Sequence, residues 1–260
     1  MAPYAFVQYM EKLRCWKLVR IEQNTQEHEE VVLRIQGIIC DKSIPPIKRP
    51  FEMYVYDTKV WAAFSTYVYR ESRRRKYLRQ SVMLTGFGSD IIKKAIDNIC
   101  YIHGLFDQEF MQGELEAWTP GRFGQFDAID ISNRYFTRRS DMNGEAPIQF
   151  SHAIDPENIL TNALSNDFVH IQENVVEYYE AVEKDNKIKW EYYYSFQRTT
   201  YKNAYRYIDI NPGRIQRGDV LEIQASFIVV PLKANRYKML VVLRAITVLD
   251  NSATKVSVNL

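Results

Sequence analysis

Apolar and polar residues alternate most regularly near the C-terminus. Leu221, Ile223, Ala225, Phe227 and Val229 are interleaved with Glu222, Gln224, Ser226 and Ile228, the period of a strand with one buried face. Pro231 ends this run, and Tyr237–Leu249 follows, apolar on both faces over Leu240–Leu243, as suits a central strand. The six residues Pro231–Arg236 are too few for a crossover helix, so the two strands are predicted to pair antiparallel. Upstream, Asn174–Glu183 and Lys187–Gln197 form a predicted hairpin around Lys184-Asp185-Asn186. Its second arm puts Ile188, Trp190, Tyr192, Tyr194 and Phe196 on one face, with Lys187, Lys189, Glu191, Tyr193 and Ser195 on the other.

The first half reads differently. Val60, Trp61, Phe64, Tyr67 and Val68 recur at three-to-four spacing, predicting a helix over Thr58–Arg79. Ile91, Ile92, Ala95, Ile96, Ile99 and Ile102 predict a second helix, capped by Ser89 or Asp90 and stopped at Gly104. Short strands are predicted at Lys17–Ile21, Val31–Cys40, Phe51–Tyr56, Ser81–Thr85 and Phe126–Ile131, with an acidic loop over Glu22–Glu30. Pro45, Pro46 and Pro50 exclude regular structure over Ser43–Pro50. Between Asp107 and Ser151 the pattern is weak, and Asp155–Ser165 reads as a short helix with Pro156 at its first position. The expected fold class is α+β, with helices mainly in the first half and an antiparallel β-sheet in the C-terminal third. A mixed α/β region over 1–150 and a β-rich region over 151–260 are expected to pack as one compact unit.

Composition narrows the function. The 260 residues are 46% hydrophobic and 25% charged, which excludes wholesale disorder, collagen and coiled coil. Lys plus Arg is 34 against 32 for Asp plus Glu, so there is no global basic field, and any polyanion must be held by a local patch. Such a patch stands out. Arg70, Arg73, Arg74, Arg75, Lys76 and Arg79 lie within ten residues with only Glu71 among them, a local +5 that leaves the remaining chain at −3. On a helix Arg70, Arg73 and Arg74 would share a side, and guanidinium forks suit phosphate oxygens. The competing readings are a solvated helix end, a nuclear-import address or a contact for an acidic partner.

Aromatic content is the second anomaly, with 18 Tyr, 13 Phe and 4 Trp. The Trp190–Phe196 face reads as core. Tyr201, Tyr205 and Tyr207, interleaved with Arg198, Lys202 and Arg206, resemble the aromatic and cationic mix that stacks and tracks single strands.

Other chemistry is thin. Thr85-Gly86-Phe87-Gly88-Ser89-Asp90-Ile91 lacks the third glycine of a dinucleotide loop and reads as a strand-to-helix turn. His28, His103, His152 and His170 show no metal-ligand spacing, so no metal and no cofactor is expected, and no catalytic residue is assigned. Asp127 and Asp130 would face opposite sides of a strand. Cys15, Cys40 and Cys100, odd in number and widely spaced, read as buried, reduced thiols of an intracellular protein, nuclear or cytoplasmic. The apolar runs near Phe227–Leu232 and Met239–Leu243 are far shorter than a membrane helix.

The segments Gly218–Phe227, Val230-Pro231-Leu232, Arg236-Tyr237-Lys238-Met239 and Val242-Leu243-Arg244, with Asn174–Tyr179, resemble the C-terminal third of an expanded group of uncharacterised proteins from mushroom-forming fungi. Such groups are often tied to mobile elements, so the resemblance points towards nucleic acid, and it carries no catalytic residue. The reading is a non-enzymatic binding protein that uses Arg70, Arg73, Arg74, Arg75, Lys76 and Arg79, with Tyr201, Tyr205 and Arg206, on nucleic acid. The alternatives are a protein that self-assembles with further copies through its Tyr-rich sheet, and a small hydrolase or transferase using His103 or His152.

Overall fold

A computed structural model describes residues 5–11, 13–21, 27–47, 78–142, 144–183 and 205–252. Strand predominates: twelve strands join in one mixed sheet and two more form a small separate pair. The α+β expectation is therefore corrected to a mostly β fold. Among the described residues, one α-helix, α1 (Asp90–Asp107), lies in the first half and a short one (Ile159–Ala163) in the second, so helices are not gathered in the first half.

The centre is a long hairpin, β13 (Val220–Pro231) and β14 (Tyr237–Asp250), antiparallel as the loop length predicts. Leu221, Ile223, Ala225, Phe227 and Val229 are all fully buried, so the alternation in the sequence is the inward face of β13. β14 changes phase part-way. Gln224 pairs with Ala245 and Ala225 with Leu243, leaving Arg244 as an extra bulged residue. Below the bulge Met239, Val241 and Leu243 share the inward face, and above it Ile246 and Val248 do.

β4 (Leu33–Ser43) lies on the outer edge of β13 and pairs with β5 (Arg79–Thr85). β5 pairs along its whole length with β8 (Phe126–Arg134), and β8 touches β14 in parallel at Ser132 and Val242. The hydrogen-bonded circuit β13–β4–β5–β8–β14–β13 is thus closed. Taken in chain order these five strands run 1-2-3-5-4-1, a five-stranded Greek-key barrel with the strand circuit of an OB-fold. Further strands extend the sheet. β1 (Ala5–Met10), β2 (Cys15–Ile21) and β3 (His28–Glu30) continue from β13, while β11 (Glu177–Glu183) and β12 (Tyr205–Asp209) continue from β14. The parallel β11–β14 pairing makes the C-terminal sheet mixed rather than antiparallel. β3 also shows that the predicted acidic loop is partly strand.

The two ends of the barrel are closed in opposite ways. At the Thr85 end, α1 packs Ile92, Ile99, Ile102 and Phe106 inward. It lies close because a Cβ on Gly37 would stand 3.1 Å from Ile92 Cδ1, and one on Gly86 would stand 2.6 Å from Ile92 Cγ1. The helix continues past Gly104, the predicted stop, because Phe106 has no exposure and completes the apolar plug. At the Arg79 end the inward residues turn polar. Gln80 and Asn133 are cross-strand partners, both buried, and a 3-10 turn (Gln172–Asn174) fills the space between them. Gln80 donates to the Asn174 carbonyl at 2.9 Å, Asn133 donates to the Glu173 carbonyl at 2.9 Å, and Tyr178 donates to Gln80 Oε1 at 2.8 Å.

The remaining expectations fall as follows. The short helix starts at Ile159, because Asp155 caps it at a distance, accepting from the Leu160 and Thr161 amides at 3.0 and 2.8 Å. Cys15 and Cys40 are buried thiols, but Cys100 on α1 is exposed. The predicted strand Phe51–Tyr56, helix Thr58–Arg79 up to Tyr77, and hairpin arm Lys187–Gln197 lie outside the described residues. No helix among the described residues is long and apolar enough to cross a membrane.

Replacing Phe227 with Ala should cost about 3–5 kcal/mol in chemical denaturation, since the ring is fully enclosed. Lys238→Ala, on an exposed position of β14, should stay within about 0.5 kcal/mol.

Candidate functional site

Strand alternation puts a second set of residues on the outside of the β5–β8 pair. Arg79 lies directly opposite Arg134, Ser81 opposite Ser132, and Met83 opposite Asp130. Across β4 the same rows continue to Ser43 and Asp41. The outer face is therefore graded, cationic at the polar end of the barrel and carrying Asp130 and Asp41 two rows away, where Asp41 pairs with Arg217. Like charges directly opposite in a sheet repel, so the Arg79–Arg134 pair is held at a cost. Arg79 donates to Ser132 Oγ at 3.3 Å, and among the described residues neither arginine has a carboxylate within ion-pair distance. Both guanidinium groups lie below their ordinary value, through burial first. For Arg79 the neighbouring Arg134 adds to this, while Asp141 and Glu173 partly offset it for Arg134.

After Arg134 come the buried Tyr135, Phe136 and Thr137, and then Arg138, which lines the same cavity as Arg134. Arg134, Arg138, Asp141, Phe136 and Phe168 line a shallow cavity of about 270 Å³ with an aromatic floor. Near Arg134 is a part-buried ion network. The β14 bulge aims Arg244 at Glu30 and Glu173, 2.8 and 2.9 Å away. Lys17, nearly enclosed, meets the same two carboxylates at 3.3 and 2.6 Å. Arg244 also donates to Ser226 Oγ at 2.9 Å and to the Glu173 carbonyl at 3.1 Å. Burial alone would raise the Glu173 carboxyl, but Arg244 and Lys17 overcome it and hold it below the usual carboxylate value. Two cations and two carboxylates balance there, and Glu173 also acts at longer range on Arg134. Counting Asp141, among the described residues five cations in this region (Lys17, Arg79, Arg134, Arg138, Arg244) stand against three carboxylates.

The residues singled out from sequence fall unevenly. Arg70, Arg73, Arg74, Arg75, Lys76 and Tyr201 lie outside the described residues. Arg79, predicted at a helix end, is instead the first residue of β5, facing Arg134. Tyr205 and Arg206 are on β12, paired with Glu183 and Val182 of β11, and Arg206 and Tyr207 are exposed. Arg134 and Arg138 were missed. The stretch Arg134-Tyr135-Phe136-Thr137-Arg138-Arg139, cations around aromatics, is the signal that marks them. The candidate catalytic histidines are dispersed: His103 donates to the Glu116 carbonyl at 3.0 Å, and His152 stands in an exposed turn. Of the acids in the Glu27–Glu30 stretch, Glu29 pairs with Arg20, and Glu30 pairs with Lys17 and Arg244.

Compared with known proteins, the chain matches no family model, no curated sequence and no solved structure.

Glu173→Gln should destabilise the fold by about 1–2 kcal/mol, between the exposed and the fully buried ion pair, because the carboxylate is partly exposed and Glu30 still faces both cations. The carboxyl is depressed in the folded state, so its contribution is complete above the unfolded value of about 4.3 and lost as pH falls below it. Denaturation curves of wild type and variant should therefore converge in acid.

Proposed function

We propose that the chain binds nucleic acid, with the arginine row at the polar end of the barrel holding phosphates. The observation that carries this reading is the Arg79–Arg134 cross-strand pair, which among the described residues has no carboxylate at ion-pair distance, with Arg134 lining a cavity together with Arg138. An anion is what such a pair lacks, and guanidinium forks match phosphate oxygens. The aromatic floor of Phe136 and Phe168 adds apolar contact for a sugar or base. Two features agree with it. In OB-type barrels the second and third strands form the face that takes oligonucleotides, and β5 and β8 are those strands here, an argument by analogy of fold. The basic sequence Arg70–Lys76 leads directly into Arg79, so Arg73, Arg74 and Arg75 extend the same positive charge along the chain. Asp130 two rows away marks the limit of the cationic row, Asp41 in its row being paired with Arg217. Tyr205 and Arg206 lie on β12, which pairs with β11 and not with β5 or β8, and in this reading they are secondary, while Tyr201 lies outside the described residues.

The test is salt-dependent binding of a single-stranded and a double-stranded oligonucleotide. Wild type should bind at low salt with a steep log–log salt dependence. Arg134→Ala with Arg138→Ala should weaken binding whatever the sequence and flatten the slope by about 0.7–0.9 for each lost phosphate contact. The triple change of Arg73, Arg74 and Arg75 to Ala should act in the same direction. Absence of wild-type binding at low salt overturns the reading. Wild-type binding that the Arg134 and Arg138 changes leave untouched overturns the site.

A further inference from the structure

At the end of β8 away from Arg134 stands an exposed aromatic cluster. Strand alternation puts Phe126 on the same side of β8 as Asp130, Ser132 and Arg134. β7 (Gly121–Phe123) folds back on β8 in a tight hairpin that pairs Phe123 with Phe126. Phe87, in the turn between β5 and α1, completes the group. Its ring centroid lies 5.5 Å from that of Phe126 and 6.3 Å from that of Phe123, both edge to face. Phe126 is half-buried against the turn, where a Cβ on Gly88 would stand 3.7 Å from its ring. Phe87 and Phe123 are open, at 49% and 40% exposure.

Phe87 also has a backbone conformation that its side chain disfavours. The Ser89 amide donates to the Gly86 carbonyl at 2.9 Å, closing a turn in which Phe87 and Gly88 have φ of 49° and 86°. A turn with positive φ at both central positions favours Asn or Gly at the first of them, and a bulky ring is an outlier there. Local stability therefore does not explain a phenylalanine whose ring is half in water. Strain of this kind gathers at sites that clamp a ligand.

The surroundings narrow the ligand. The cations of the β7 tip and of the first turn of α1 are paired, Arg122 with Asp127 at 3.3 Å and Lys93 with Asp90 at 3.4 Å. They do not supply the free basic cluster that an anionic lipid surface attracts. Continuity with the arginine row argues for the ligand of that row. Phe126 and Arg134 are the first and last residues of β8, which at about 3.3 Å per residue places them about 26 Å apart on one strand face. That suits a short single strand, since barrels of this kind take upwards of about four nucleotides. Exposed rings beside a cationic row are the means by which bases are stacked while phosphates are held. Asp130 lies between the two, and a carboxylate repels phosphate but accepts from base amino groups, so a strand crosses it with its bases turned inward.

We propose that Phe87 and Phe123 stack a base of a single strand whose phosphates are held at the Arg79–Arg134 row. The proposal rests on the nucleic-acid reading above and adds a strand preference to it, because the bases of a duplex are covered by their own neighbours.

Three probes separate base from phosphate: a single-stranded oligonucleotide, its duplex, and a methylphosphonate strand of the same sequence, whose backbone is uncharged. Wild type should bind the single strand more tightly than the duplex. Phe87→Asn and Phe123→Ala should each weaken single-strand binding by about five- to a hundredfold, at an unchanged salt slope and with duplex binding untouched. Phe87→Tyr, which keeps a ring, should bind as wild type. Asn is a residue that the turn prefers, so Phe87→Asn keeps the fold, and circular dichroism checks it. The methylphosphonate strand should bind more weakly, lose that binding in Phe87→Asn, and keep it in Arg134→Ala with Arg138→Ala. Single-strand binding that both phenylalanine changes leave untouched overturns the inference and leaves the phosphate site standing. Binding without salt dependence that these changes abolish overturns the phosphate site instead. Absence of binding to every strand overturns both. Phosphatidylcholine vesicles that sediment with wild type but not with Phe87→Asn would assign the rings to a bilayer and overturn the inference as well.

Discussion

The β13–β14 ribbon has two edges, and among the described residues five other strands pair directly with one of them. β4 and β2 share the outer edge of β13, and β8 and β11 share that of β14, with β6 (Leu115–Glu116) beside its start. At about 3.3 Å per residue a strand of twelve to fourteen residues is long enough to serve several shorter neighbours in succession. Only the part flanked by β4 and β8 closes into a barrel, and the rest carries the sheet outward. The side-chain period of two would turn such a strand over at the first irregularity, and the bulge at Arg244 controls where that happens. One extra residue changes which parity faces inward and delivers a guanidinium to the Glu30–Glu173 pair.

The unlike ends of the barrel explain where chemistry can occur. α1 fills one mouth with isoleucine and phenylalanine. The other mouth is closed by hydrogen bonds from Gln80, Asn133, Thr137 and Arg244 to one short turn. Polar closure holds a turn in one geometry, but every donor must then be matched to an acceptor. The unbalanced arginines occur at this end.

The local part of this structure was readable from the sequence. The β13 face, the pairing of β13 with β14, and α1 follow from periodicity because each is completed by neighbours close in the chain. The fold class was misjudged because closure depends on partners far apart. Nothing near Ser132 indicates Val242, and nothing near Glu177 indicates Ala245 in parallel. Arg79 shows the same limit at the site. Its charge was recognised, but the helical periodicity upstream assigned it to a helix, and only pairing with β8 reveals that it faces Arg134. Arg134 itself lay in a stretch whose alternation is blurred by the inward-facing Asn133, a polar residue where an apolar one would have continued the pattern.

The closing strands also come last along the chain. β4 and β5 are made well before β13 and β14, so on a ribosome the β4 edge that β13 will cover emerges with its backbone donors and acceptors open. Folding of the barrel must wait for the hairpin, and the waiting edge is the surface most exposed to wrong pairing. Cells that make this chain therefore face their main hazard of misassembly during synthesis, before the ribbon that organises the sheet exists.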